Sequence, residues 1–550
     1  MLGFSTRGVG HTGLNKTHSF TFVKEVMAMK VVTAEQMREI DRQAAASGIP
    51  TEILMQNAGR AVAGRTIEWL GGVAGKEVLV LVGPGNNGGD GLVAASHLHD
   101  EGARVTMYIW GRTLDTDANY RATQGRGIPA IQAEKDTGFC ELARLASKTD
   151  VLVDSLLGTG KAREIAGTLK ALLDTVSGCL HPRARVVAVD LPTGINADTG
   201  TVDPATIPAD LTITLGFPKP GLFLPPALDY VAKLVVADIG FPPEPEGQSA
   251  LEMTTPAMIR QWLPKRTLSS HKGTYGKVLV IAGSINYTGA PCLACLGAGR
   301  VGAGLVTLAP PATIHPIVAG KLTETTFLPL PDSSPGFLVS EAVAVVAREI
   351  PAYDAVLVGP GLGQNSLTVQ FVESLLKWAK GSSSTFTETP RWVVDADGLN
   401  VLVQIPHWPE LLPNGTVLTP HPAELSRLIG ASVGAIQADR IGCARAAASQ
   451  WGCIVVLKGA NTLIAMPDGQ VFINPSANPA LATAGTGDVL SGAIAGLAAQ
   501  GVEPRWAAVS AVYLHAAAGE AVRETIGDAG TLASDLLPHL PRALQRVKGN

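Results

Sequence analysis

Charge is scarce in this chain, and no stretch of it is strongly basic. Asp, Glu, Lys and Arg make up 16% of 550 residues, and the formal net charge is −4. Without a basic block to neutralise phosphates, a nucleic-acid partner is not expected. Long apolar runs are missing too. Gly, Pro or a charge interrupts each one before the roughly 18 residues that a bilayer span needs, so no membrane segment is expected. Cysteine is sparse, with six residues scattered from Cys140 to Cys453. Cys292 and Cys295 make a C-x-x-C, but no second pair completes a zinc site. They lie in a Gly/Ala-rich, helix-like run, where two small buried residues are the simpler reading. Nothing points to an oxidising compartment, and a cytoplasmic location is expected.

What the chain has instead is apolar and loop-punctuated: 46% hydrophobic residues, 61 Gly and 37 Pro. That suits a compact α/β enzyme, and the length calls for at least two domains. Residues 1–29 read as an extension expected to be disordered. The Pro-rich stretch from Phe241 to Gly247 is the best boundary, giving one domain over 30–243 and another over 244–550.

Thr33-Ala-Glu-Gln36 matches a capping box and predicts a helix through Met37, Ile40 and Ala44. A second helix follows Pro50. Val78–Val82 reads as a buried parallel strand. Gly83-Pro-Gly-Asn-Asn-Gly-Gly-Asp-Gly91 and an apolar helix come next. Strand, Gly-rich loop and helix is the layout of a nucleotide site at the carboxyl edge of a parallel sheet. Gly83, Gly85 and Gly88 satisfy G-x-G-x-x-G. Yet the next predicted strand, from Arg104 to Trp110, ends in Gly111-Arg112 with no acid for a ribose, which weakens a dehydrogenase reading. No Lys-Ser/Thr pair makes a Walker loop. The loop therefore cradles anions and polar groups in another way, and Asn86, Asn87 and Asp90 are unusually polar for a tight turn. Further predicted strands end at Asp154, before Gly158-Thr159-Gly160, at Asp190, before Thr193-Gly194, and near Lys219. One strand-end Asp is more often a turn or cap. Three such ends beside an Asn-rich loop favour a site. Asn87, Asp154 and Thr193 offer hard oxygens suited to a monovalent or divalent cation.

The second half restarts at His271-Lys-Gly, with strands predicted over 277–282 and 305–308. Later strands end in Gly359-Pro-Gly361-Leu-Gly363, Asp395-Ala-Asp397, Thr419-Pro-His421-Pro-Ala-Glu424 and Lys458-Gly459-Ala460-Asn461-Thr462. Ala-rich helices alternate with them, which predicts a second α/β sheet. Gly381-Ser-Ser-Ser-Thr reads as a surface loop. The stretch that organises this half is Gly485-Thr486-Gly487-Asp488, before the apolar run Val489–Leu497. A glycine loop at a helix N-terminus presents free N–H groups and a helix dipole to an anion. A carboxylate is repelled by that anion. Asp488 makes sense there as the group that accepts a proton from a hydroxyl attacking a phosphoryl centre. The plainer reading is a first-turn acid, worth a few tenths of a kcal/mol.

The motifs from Val82 to Gly91, Asp154 with Gly158-Thr-Gly160, and Asp190-Leu-Pro-Thr-Gly194 together resemble the NAD(P)H-hydrate epimerase domain. Those from His271-Lys-Gly through Gly485-Thr-Gly-Asp488 resemble the ADP-dependent NAD(P)H-hydrate dehydratase domain. The order, from about Lys30 to the end, is that of the bacterial bifunctional repair enzymes. The resemblance implies a Rossmann-like three-layer N-terminal domain and a ribokinase-like α/β C-terminal domain. In the first, Asn86, Asn87, Gly88, Gly89, Asp90, Gly158, Thr159, Gly160, Lys161, Ala162, Arg163 and Glu164 would hold the hydrate. Asp190 would be acid/base or substrate ligand, and Asn87, Asp154 and Thr193 would bind potassium. In the second, Gly361, Gly363, His421 and Asp488 would face the hydrate. Lys458, Gly459, Ala460, Asn461, Thr462, Gly485, Thr486 and Gly487 would sit on ADP, accompanied by magnesium. Asp488 would be the base. Partners would be hydrated NADH and NADPH and ADP, in a homo-oligomer. Thr193 stands where the family has Ser, and Ala423 where it has Gly, which is expected to shift that loop if the position needs φ > 0. The rival readings are a ribokinase-type small-molecule kinase fused to a nucleotide-binding domain, and a non-catalytic nucleotide sensor. The intact Asp190 and Asp488 speak against the sensor.

Overall fold

A computed structural model of the chain describes residues 29–160, 164–241, 249–382 and 389–549. Residues 1–28, most of the Pro-rich boundary, Ser383 to Thr385 of the expected surface loop, and the substrate-binding expectations Lys161, Ala162 and Arg163 lie outside the described residues.

Seven strands form a wholly parallel sheet. Glu77–Val82 and Val151–Ser155 lie side by side; Arg104–Ile109 and Ala130–Gln132 extend one flank, and Arg185–Val189, Leu211–Leu215 and Lys233–Ala237 the other. The strands are near-continuous apolar runs because both faces are covered. Val78, Val80 and Val82 pack with the helices Thr51–Leu70 and Asn86–Asp100, while Leu79 and Leu81 pack with the helices Cys140–Ala146 and Gly167–Cys179. This is the expected three-layer arrangement. The chain winds outward from Glu77–Val82 and then returns to its other flank. The reversal opens a crevice at the carboxyl ends of Glu77–Val82 and Val151–Ser155, where open α/β sheets bind ligands. The helix Asn86–Asp100 begins there. The Asn-rich segment read as loop is therefore already helix.

The second sheet has eleven strands. From Ile454–Leu457 through Val417–Leu418, Arg391–Val394, Ala355–Val358, Lys277–Ile281, Leu305–Ala309 and Thr326–Phe327 it is parallel. Beyond Ile454–Leu457, the strands Leu463–Ala465 and Val471–Ile473 run antiparallel, an edge that the alternating pattern did not announce. The order reverses beside Lys277–Ile281. There the Gly283 N–H donates to the Pro360 carbonyl (2.9 Å) and the Ser284 hydroxyl to the Gly361 carbonyl (2.8 Å). Cys292 and Cys295 are buried in the helix Ala290–Arg300, as their surroundings suggested. The helix Ser366–Ser382 takes in Gly381 and Ser382 of the expected loop.

The two sheets share structure. The first strand, Met29–Lys30, pairs antiparallel with Leu251–Met253 at the edge of the second sheet, and Lys30 bridges Glu252 at 2.5 Å. The next residues form the predicted helix, Ala34–Ala46, with the Thr33–Gln36 capping box in place. Leu191, Leu222, Phe223 and Val231 join an apolar cluster that includes Leu457, Leu463 and Ile473. Within it the buried Asn461 amide donates to the Phe223 carbonyl (3.0 Å). Asn461 holds φ +48, a backbone position that Asn tolerates better than most residues. Replacing it with Ala removes this bond between the two units, and the expected loss is about 0.5–1.5 kcal/mol. Urea denaturation would show a lowered midpoint for Asn461→Ala; an unchanged midpoint would mean the contact does not hold the units together.

Candidate active sites

A cavity of about 1010 Å³ opens at the first crevice. Asn86, Asn87, Asp90, Gly158, Thr159, Gly160, Glu164 and Asp190 line it, together with Met37, Arg38 and Asp41 from the helix Ala34–Ala46. Gly88 and Gly89 do not. They let the helix start pack closely, since a Cβ on Gly88 would strike the Gly83 carbonyl. Arg112, the residue found where a ribose acid was sought, donates to the Gly83 and Gly85 carbonyls at 3.0 and 2.7 Å and pairs with Asp117 at 2.6 Å.

Asp190 follows the strand Arg185–Val189 with φ +67, a conformation that costs a non-glycine residue roughly 1–3 kcal/mol. Its Oδ1 accepts from Lys219 Nζ (2.5 Å), the Thr214 hydroxyl (3.1 Å) and the Leu215 N–H (3.1 Å). Lys219 is 1% exposed, so this ion pair is held out of water. Asp90 is buried as well. Burial and then the negative charges of Asp190 and Asp41 hold its carboxyl well above the usual range. Asp41, at the exposed rim, is also raised, chiefly by burial.

Behind the cavity, Asp154 accepts from the Thr193 hydroxyl (2.7 Å), the Thr193 N–H (2.8 Å) and the Leu156 N–H (3.2 Å). Asn87 donates to the Leu157 carbonyl (3.0 Å), and the Leu157 N–H donates to the Thr193 hydroxyl (3.0 Å). Asn87 Oδ1 is buried without a partner. The structure thus brings Asn87, Asp154 and Thr193 together around Leu157, with one oxygen left unsatisfied.

The second site repeats the plan. Asp395 ends the strand Arg391–Val394, and Ala396 after it holds φ +51. Asp395 Oδ1 accepts from Lys458 Nζ (2.8 Å) and the Thr419 hydroxyl (2.6 Å), while Oδ2 is buried without a partner. Glu424 lies 3.6 Å from Lys458. Burial alone would lower the Lys458 ammonium pKa, but Asp395 and Glu424 outweigh it and hold it up. Asp488 stands in the first turn of the helix Thr486–Ala499, after Gly485 at φ +91. Burial first, then the charge of Asp395, push its carboxyl up to about 7, against the pull of Lys458. Buried His515 bonds the Thr486 carbonyl through Nε2 (2.9 Å) and steadies this turn; burial pushes its pKa down to about 4, so the ring is neutral and Nε2–H donates.

Gly361 and Gly363 lie at the switch point, at φ +67 and +75, and the Gly363 N–H donates to Asp397 (2.9 Å). His421 caps the helix Pro422–Ile429: its Nδ1 accepts from the Ala423 and Glu424 N–H groups at 3.1 and 3.2 Å. Burial lowers its pKa. The neutral ring therefore carries its proton on Nε2 and acts as a donor. Ala423 sits inside this helix and is absent from the positive-φ residues, so the expected loop shift is not found. Thr462 caps the Gly459 carbonyl (2.9 Å), and the buried Arg440 reaches the Leu457 and Lys458 carbonyls at 3.5 and 3.4 Å. The Asn461 side-chain N–H donates to the Phe223 carbonyl, and its Oδ1 is buried without a partner.

Lys219 and Asp395 stood at visible strand ends, but their partners did not announce themselves. Asp41, Arg112, Arg440 and His515 carried no readable signal beyond their type.

Two family models match the chain: YjeF-related protein N-terminus over residues 51–221, and NAD(P)H-hydrate dehydratase over 278–542. The bifunctional NAD(P)H-hydrate repair enzyme Nnr of Moorella thermoacetica is 38% identical over 530 residues, covering 94% of this chain and 97% of its own. That of Coxiella burnetii is 36% identical, covering 92% and 97%. A solved ADP/ATP-dependent NAD(P)H-hydrate dehydratase from Bacillus subtilis, co-crystallized with ATP/Mg2+, is 34% identical with a TM-score of 0.45, and covers 54% of this chain and 98% of its own. The resemblance read from the motifs is borne out along nearly the whole of both curated relatives, and the chain belongs to the family of bifunctional NAD(P)H-hydrate repair enzymes.

Proposed function

We propose that the two sites divide one repair task, the first within residues 30–243 and the second within 244–550. The first interconverts the R and S epimers of hydrated NADH and NADPH. The second dehydrates the S form with ADP, giving AMP, phosphate and the restored dinucleotide. The observation that carries this reading is Asp488, an unpaired carboxyl held near neutral pKa at a glycine-rich helix N-terminus. A hydroxyl is a poor leaving group and a phosphate a good one. Asp488 takes the proton from the ring hydroxyl as its oxygen attacks the terminal phosphorus of ADP. The N–H groups of Gly485, Thr486 and Gly487 steady the phosphoryl charge in transit. Lys458 to Thr462 hold the nucleotide. His421 Nε2–H and the backbone at Gly361 and Gly363 orient the hydrate. The ATP/Mg2+ of the Bacillus subtilis relative supports a nucleotide with magnesium here. This reading displaces the small-molecule kinase, whose product would keep the phosphate.

In the first site, Asn86, Asn87, Asp90 and Gly158 to Glu164 hold the dinucleotide, and Asp190 faces the reacting ring. The unsatisfied Asn87 oxygen, with Asp154 and Thr193, fits a potassium ion. Bound there, potassium would supply a fixed positive charge beside the cavity.

For dehydration of the S hydrate, kcat/KM rises through about pH 7 as Asp488 loses its proton, because a base works only when deprotonated. Asp488→Asn lowers it roughly 10²–10⁴-fold and leaves epimerisation intact. Near-normal turnover in that variant would remove Asp488 as the base. Replacing potassium chloride with choline chloride lowers the thermal midpoint of the wild type, since an ion that binds only the folded chain stabilises it. Asn87→Ala abolishes the difference. Equal wild-type midpoints in the two salts would argue against a potassium site.

A further inference from the structure

The first cavity holds a carboxyl that the reading above uses only for binding. Asp90 is 7% exposed and lines the cavity with Asp190. Among the described residues no donor bonds its carboxyl, although Asp190 in the same cavity has three. The charges around it come from every side: Asp41 from the helix Ala34–Ala46, Asp190 and Lys219 from strand ends, and Arg112, itself paired with Asp117, from the loop after Arg104–Ile109. An unpaired, buried carboxyl beside a paired one is the arrangement that separates an acid from a base.

We propose that Asp90 is the epimerase's proton donor, delivering a proton to the departing ring hydroxyl while Asp190 serves as the base. The inference rests on the epimerase reading of this cavity. Hydration of the nicotinamide's enamine double bond puts the hydroxyl on the ring carbon next to nitrogen. As that C–O bond breaks, the ring nitrogen's lone pair forms a C=N bond. Asp90 protonates the leaving oxygen, which departs as water. Water then adds to the opposite face of the same carbon and the C=N electron pair returns to nitrogen. The added water's proton passes to Asp190, and its transfer to Asp90 across the shared cavity resets both groups. Nothing is oxidised or reduced, and the water lost equals the water gained. Burial and the neighbouring negative charges raise the Asp90 carboxyl well above the usual carboxylate range, which favours the protonated form a donor requires.

The test compares Asp90→Asn, Asp90→Glu and Asp41→Asn with the wild type in the full chain. R/S interconversion is followed by chromatography, NADH affinity by calorimetry, and ADP-dependent dehydration of the S hydrate serves as the internal control. Asp90→Asn is expected to lose roughly 10²–10⁴-fold in interconversion kcat, well beyond any change in its NADH affinity, and to dehydrate S hydrate normally. Wild-type interconversion falls at alkaline pH as the donor ionises, and Asp90→Asn loses that fall. Asp90→Glu recovers part of the rate. The proposal is overturned if Asp90→Asn interconverts within threefold of wild type, if its defect lies in binding alone, or if Asp41→Asn carries the loss. It is also overturned if Asp90→Asn and Asp90→Glu both lose the internal control along with interconversion, since the carboxyl would then be structural. A wild type that dehydrates S hydrate but never interconverts the epimers sinks the epimerase reading instead.

Discussion

Both halves of this protein depend on a lysine–aspartate pair at the carboxyl end of a parallel strand, with the carboxylate buried in each. Lys219 meets Asp190 at 2.5 Å in one, and Lys458 meets Asp395 at 2.8 Å in the other. Moving such ions from water costs several kcal/mol each, and removing one partner costs about 3–5 kcal/mol, so neither pair is a neutral ornament of the fold. Each fixes a negative charge beside a second, unpaired carboxyl. Burial first, and then that neighbouring charge, raise both Asp90 and Asp488.

The sheets explain why these groups can meet at all. The chain returns to the other flank of Glu77–Val82 in one sheet and of Lys277–Ile281 in the other, which leaves a crevice at the strand ends. A glycine-rich helix start faces the first crevice, and the Gly359-Pro-Gly361 turn closes the second. Strand ends deliver the paired carboxylates from different points in the sequence. The helix starts deliver the unpaired ones, from Asn86–Asp100 and Thr486–Ala499. Positive φ at Asp190 and Ala396 is a local strain that the surrounding bonds maintain.

The parts encoded locally were legible in the sequence. The Thr33 capping box, the buried strands, the helix after Gly485-Thr-Gly-Asp488 and the two-sheet α/β class all rest on spacing within a few residues. What was not legible rests on contacts between distant residues. Lys458 and Asp395 are separated by 63 residues, and Asn461 and Phe223 by 238. The strand Met29–Lys30 is two residues long and belongs to the far sheet, which no local pattern could indicate. Ala423 stands where a glycine was expected, yet the turn there is helical and asks for no special φ.

The most direct test of this account is the pH–rate profile of Asp395→Asn. Removing that charge takes away a cause of the raised Asp488 pKa while leaving Lys458, which lowers it, in place. The rising limb of kcat/KM for S-hydrate dehydration should therefore move to lower pH than in the wild type. A limb that stays near pH 7, or moves higher, would contradict the claim that the paired carboxylate sets the state of the unpaired one.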